Sequence, residues 1–93
     1  MTSYVMNKKE LISKISQSTC MTKKEIDLVL TTALEIIMDS VSEGEKVQLV
    51  GFGSFYTYKK ILRKNNISLE NTMLVSAIKF SSGKFFKEKV NVS

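Results

Sequence analysis

The chain has no histidine, no proline and no tryptophan, and it holds one cysteine, one arginine and four glycines in 93 residues. The missing histidine removes the usual general base and the commonest metal ligand. Cys20, the single cysteine, cannot close an intramolecular disulfide and fits a reducing compartment. Placed near a helix end, it is expected to be a small inert thiol rather than a reactive one. No apolar run has the length to span a bilayer, so no membrane partner is expected, and residues 1–7 lack the apolar core of a secretory leader. With neither histidine nor a cluster of metal ligands, no catalytic constellation assembles. An enzyme is therefore the last of the function classes weighed, and no cofactor, metal or small-molecule substrate is expected.

What is present is a short chain with a lopsided charge. Ninety-three residues bound it to one domain with a modest core, for which oligomerisation is a natural support. Residues 1–45 hold five Lys and seven Asp or Glu, a net of −2. Residues 46–93 hold nine Lys or Arg and two Glu, a net of +7. Such asymmetry points to an anionic partner for the C-terminal half.

Along the chain, Asn7-Lys8-Lys9-Glu10 matches a capping box and opens a short helix striped by Leu11, Ile12 and Ile15. That helix is expected to end near Ser18-Thr19. Thr22-Lys23-Lys24-Glu25 is a second capping box. Behind it Ile26, Val29, Leu30, Ala33, Ile37 and Val41 step by three or four, the spacing of one helical face. Leu34 and Ile36 widen that face beyond what a small monomer needs. Gly44 is the expected stop. Val47 to Phe55 then begins as a strand and bends where Gly51 and Gly53 bracket Phe52. A bare Gly-x-Gly reads first as a turn and second as a phosphate cradle. Tyr56 to Lys64 is β-prone and carries Lys59, Lys60, Arg63 and Lys64 with no acid. Asn65 to Asn71 is turn-like, and Thr72 to Phe80, which includes Lys79, returns as a strand. The two strands make a β-ribbon whose distal cations are either a solvated hairpin surface or a grip on an anion. Ser82 is expected to cap a last helix with Phe85, Phe86 and Val90 on its apolar side and Lys84, Lys87 and Lys89 as its cations.

Three blocks in this order carry a resemblance. They are Met6-Asn7-Lys8-Lys9-Glu10-Leu11-Ile12, then Val47-Gln48-Leu49-Val50-Gly51-Phe52-Gly53-Ser54-Phe55, then Phe80-Ser81-Ser82-Gly83-Lys84 with Lys87. The sequence resembles the HU/integration-host-factor family of small dimeric DNA-bending proteins, from about Met6 to Asn91. The resemblance implies an α+β fold: two N-terminal helices, a three-stranded antiparallel sheet with an extended β-ribbon arm, and a short C-terminal helix, in an intertwined dimer. Residues 7–44 would form the helical dimerisation part, 46–80 the sheet and DNA-binding arm, and 82–91 the last helix. Phe52, Phe55 and Phe80, with Leu30 and Ile37, would be dimer core. Gly51, Phe52, Gly53 and Ser54 would bring backbone amides near phosphates. Lys8, Lys84 and Lys87 would hold DNA on the flanks of the body, and Lys59, Lys60, Arg63, Lys64 and Lys79 would line the arm. Double-stranded DNA, through its minor groove and phosphates, and a second copy of the chain are the implied partners. The implied place is the cytoplasmic or organellar nucleoid.

The arm departs from the family pattern. Family arms usually end in Arg-Asn-Pro, whose proline wedges between base pairs, and this chain has no proline. Twenty-four residues separate Phe55 from Phe80, a short ribbon for the family. Asn66 and Ile67 fall near the expected tip. Ile67, or failing it Leu69, is either the wedge or a hairpin stiffener. With Arg63 as the only arginine, sequence selectivity is expected to be low. The leading expectation is therefore an architectural DNA binder. A sequence-specific bending accessory factor is the alternative, and a module that docks an acidic protein stands behind both.

Overall fold

The structure is a computed structural model that describes residues 4–63 and 72–91. The chain divides into two compact units, Met1–Ile36 and Ile37–Ser93. Its elements are helix α1 (Lys8–Thr19), helix α2 (Lys23–Ser42), strands β1 (Val47–Leu49), β2 (Gly53–Arg63) and β3 (Thr72–Ser82), and helix α3 (Lys84–Asn91). The α+β order expected from the sequence is the one found. Among the described residues no helix is long and apolar enough to cross a membrane.

Both N-terminal helices start where their capping residues stand. The Asn7 side chain accepts from the Glu10 N–H at 2.9 Å, and Thr22 Oγ1 accepts from the Glu25 N–H at 3.2 Å. The Glu10 carboxylate in turn accepts the Tyr4 hydroxyl, which ties the preceding segment to the first turn. At its other end α1 stops on Cys20, which adopts the left-handed conformation at φ 62° and donates its N–H to the Ser16 carbonyl. Glycine is the usual residue there, and a side chain in that region costs on the order of 1 kcal/mol. The thiol is exposed.

Helix α2 ends in two backbone bonds that define a Schellman motif. The Glu45 N–H reaches the Ser40 carbonyl and the Gly44 N–H reaches the Val41 carbonyl, both at 3.0 Å, with Gly44 at φ 94°.

The sheet is antiparallel in the order β1-β2-β3. Val47 pairs with Phe55, Gln48 with Ser54 and Leu49 with Gly53, so the stretch from Val47 to Phe55 is a hairpin in itself. The β2–β3 register runs without a break from Gly53↔Ser82 to Arg63↔Thr72. The end of β3 departs from the sequence expectation, in which Ser82 caps and opens the last helix. Ser82 is instead held in the strand opposite Gly53, and α3 begins at Lys84. Gly83 takes the cap position: its carbonyl accepts from the Lys87 N–H, and its own N–H donates to the Phe52 carbonyl at 2.9 Å.

Little of this chain is buried by the chain itself. Among the described residues the buried apolar side chains are Ile12, Ile26 and Val41, and no large side chain is wholly enclosed. Leu30 and Ile37, two of the expected dimer-core residues, are half-buried. Leu34 on the same helix is 44% exposed.

Candidate nucleic-acid interface

The bend between β1 and β2 shows why two glycines stand two residues apart. The Phe52 N–H closes a turn onto the Leu49 carbonyl at 2.9 Å, and Gly51 sits third in that turn with φ 86°. A positive φ at that position is what a type II turn requires of glycine. Gly53 has a different task. A Cβ there would lie 2.5 Å from the Ser81 carbonyl oxygen and 2.6 Å from the edge of the Phe80 ring. The missing side chain lets β3 and an aromatic ring press against the backbone of β2.

That ring belongs to a cluster. Phe52 lies 5.2 Å from Phe80 and 6.4 Å from Phe55, and Phe55 lies 4.8 Å from Phe80. Phe86, which the sequence placed only on the apolar side of α3, stacks on Phe52 with ring centres 5.3 Å apart and planes 19° from parallel. These separations suit favourable aromatic pairs, each worth about 0.5–1.5 kcal/mol beyond the buried area. The cluster anchors α3 to the base of the ribbon and so fixes where Lys84 and Lys87 stand. Even so, Phe52 remains 44% exposed on the single chain.

The strand register then sorts the ribbon's residues onto two faces. Phe55/Phe80, Thr57/Ile78, Lys59/Ser76 and Ile61/Leu74 share one face. Lys59 Nζ bonds Ser76 Oγ at 3.1 Å across it. Ser54/Ser81, Tyr56/Lys79, Tyr58/Ala77 and Lys60/Val75 share the other. Lys46, just before β1, puts its Nζ 5.8 Å from the centre of the Tyr56 ring. Its place in the array was not legible from the sequence, because the contact spans two strands. Lys59, Lys60, Lys79, Lys84 and Lys87 are exposed. Lys84 and Lys87 line one hollow on α3 together with Glu88 and Asn91.

The expected site residues therefore fall into separate groups. The ribbon lysines and the α3 lysines belong to the C-terminal unit. Lys8 belongs to the helical unit, where it forms the one ion pair among the described residues, to Asp27 at 3.4 Å, and also bonds Thr31. It lines a hollow there with Lys9, Lys23 and Lys24, three lysines that the sequence marks only as parts of capping boxes. Ser54 is half-buried and Gly53 buried, while Gly51 is exposed in its turn. Lys64, Asn66 and Ile67, with Leu69, lie outside the described residues, and of Arg63 only the backbone pairing is described. Among the described residues no three of His, Cys, Asp and Glu gather to hold a metal ion.

Residues 6–91 match the family described as bacterial DNA-binding protein. The chain belongs to that family. It is 45% identical to the DNA-binding protein HU of Nostoc over 89 residues, covering 91% of this chain and 95% of that protein. It is 42% identical to the HU of Thermotoga maritima, covering 91% and 99% of the two chains. Among solved structures, that of Anabaena HU cocrystallised with DNA superposes with a TM-score of 0.79 at 41% identity, covering 95% of this chain and all of that one. In family terms, the three blocks that carried the resemblance lie within the matched span. The Gly-Phe-Gly block forms the bend and the Phe-Ser-Ser-Gly-Lys block forms the β3–α3 junction.

Proposed function

We propose that this chain is an architectural, histone-like DNA-binding protein. As a homodimer it binds and bends double-stranded DNA with little sequence preference and organises nucleoid DNA. The observation that carries the reading is the distribution of charge in the C-terminal unit of an HU-family chain. Lys46, Lys59, Lys60, Lys79, Lys84 and Lys87 stand exposed there, and the only carboxylate among the described residues of 46–91 is Glu88. Cations in such excess over acids suit a polyanion, and lysines act on phosphates as point charges that carry no base code. A dimer doubles the formal charge of each chain from +5 to +10.

Lys8, Lys84 and Lys87 serve as flank contacts for the bent duplex. Lys59, Lys60, Arg63, Lys64 and Lys79 line the arm, and Gly51 to Ser54 approach phosphates at the bend. The dimer core takes in Phe52, Phe55, Phe80, Leu30 and Ile37. The family is a DNA-binding family rather than an enzyme family. The relatives named HU favour the architectural reading over that of a sequence-specific accessory factor, and the nucleoid is the corresponding location.

The test is fluorescence transfer between the ends of a short duplex, repeated on unrelated sequences. A fall in end-to-end distance of similar size on each sequence is expected. Bending confined to one sequence would move the chain to the accessory-factor class, and no binding to any duplex would overturn the reading.

A further inference from the structure

We propose that the ribbon face opposite Tyr56 and Tyr58 is a contact between copies of this chain, through which neighbouring dimers on one DNA stack ribbon on ribbon. The inference goes beyond the DNA-binding reading but rests on it, because DNA brings the copies together. The strand register puts Phe55/Phe80, Thr57/Ile78, Lys59/Ser76 and Ile61/Leu74 on this face. Its apolar side chains are uncovered: Ile78 is 75%, Leu74 70% and Ile61 59% exposed. A sheet face that water alone covers is ordinarily polar, and alternate residues turn apolar where something packs on them. Exposed apolar side chains gathered in one stripe mark an interaction site.

Charge and continuity decide what covers the stripe. From the Thr57/Ile78 row to the Ile61/Leu74 row this face carries one cation and no acid, and that cation, Lys59, bonds Ser76 Oγ at 3.1 Å. The other face carries Lys60 and Lys79, and Lys46 leans over Tyr56. A polyanion is drawn to the more cationic face. Along Ile78, Ile61 and Leu74 an acidic protein finds almost no charge to pair with, whereas a second stripe of the same kind matches it. The stripe also starts at Phe55 and Phe80, which the reading above places in the dimer core, so it prolongs a surface already given to self-association. Its distal rows span four residues, about 13 Å at the rise of a strand, and two such faces pack about 10 Å apart. Three aliphatic side chains per copy bury far less than the roughly 1,200 Å² of a stable interface, so free dimers do not hold together by it. Side by side on DNA they meet at a high effective concentration, and the stripe then adds a preference for adjacent sites.

The full chain is compared with Leu74→Thr/Ile78→Thr, which keeps strand-forming residues and removes the apolar contact. Each is titrated by anisotropy with a labelled duplex that holds one dimer, and by gel shift with a duplex several times longer. The parent fills adjacent sites on the long duplex with about a 10-fold preference over isolated ones, an increment that the burial of about two CH₂ groups supplies. The variant fills them at random and binds the short duplex as the parent does. Position is read in a Cys20→Ser background, which leaves Ser76→Cys as the sole thiol. A short bismaleimide then joins two chains on the long duplex but not on the short one, and adding Leu74→Thr/Ile78→Thr abolishes the link. A parent without neighbour preference, or a variant that keeps it, overturns the proposal. So does a link on the short duplex, or a variant that sediments at the mass of one chain, since the stripe would then be covered inside the dimer itself. Failure of the parent to bind either duplex overturns the DNA-binding reading instead.

Discussion

The helical unit and the ribbon unit both leave apolar side chains uncovered, but they differ in the charge that stands beside them. On α2, Leu28 is 70% and Ile36 59% exposed, and the one cation paired to an acid among the described residues, Lys8 with Asp27, is on the helices. On the ribbon and α3, lysines with almost no acid beside them are uncovered together with apolar side chains such as Leu74, Ile78 and Phe85. A chain with three buried apolar side chains among its described residues lacks the core to stand alone. Its exposed apolar helix surface is explained by a second copy, and its exposed lysines by a polyanion.

The largest effect is expected from attacking the apolar side. Leu34→Lys on an isolated chain would change a partly exposed position and cost within about 0.5 kcal/mol. In a shared core it buries an unpaired charge, which costs about 3–5 kcal/mol. Sedimentation at micromolar concentration should show the parent at twice the chain mass and the variant as unfolded or monomeric. A stable dimer of the variant would break the comparison at its first term.

The next effect sharpens the role of the bend. Gly53→Ala drives a methyl into the Ser81 carbonyl, a backbone atom that cannot swing away, and should cost about 1–3 kcal/mol by overpacking. In Gly51→Ala nothing lies within 4 Å of the new Cβ, so only the strain at φ 86° is felt, at about 1 kcal/mol. Denaturant midpoints should fall in that order, and equal shifts would remove the distinction between the two glycines.

Smaller changes are expected on the cationic side. Lys84→Ala and Lys87→Ala should each weaken binding to all sequences alike. Each should also flatten the salt slope by about 0.9 for every phosphate that is no longer neutralised, with thermal stability nearly unchanged. Unaltered affinity and slope in both would make these lysines ordinary solvated side chains.

The local chemistry of the chain was legible in its sequence. The caps at Asn7 and Thr22 and the stop at Gly44 act within a few residues, and the structure places each where its residue type predicts. What was not legible depends on partners far along the chain. Ser82 has the residue type of a helix cap, yet pairing with Gly53 keeps it in β3 and passes the cap to Gly83. Gly51 and Gly53 look alike in the sequence, but the constraint on Gly53 comes from Phe80 and Ser81 on another strand. The stacking of Phe86 on Phe52 and the position of Lys46 over Tyr56 are likewise products of register. No spacing rule within one element encodes them. The family resemblance supplied the dimer and the DNA, which residue patterns alone only suggested as a wide helix face and a basic ribbon.

The central claim is that exposed lysines on a two-chain body grip DNA through its phosphates. The direct measurement is the salt dependence of binding to a random-sequence duplex, with the number of chains per bound site counted in the same titration. The account predicts two chains per site, little change between sequences, and an affinity that falls about 10³-fold or more between about 50 and about 200 mM salt, as six or more phosphate contacts require. A shallow slope, or one chain per site, would contradict it.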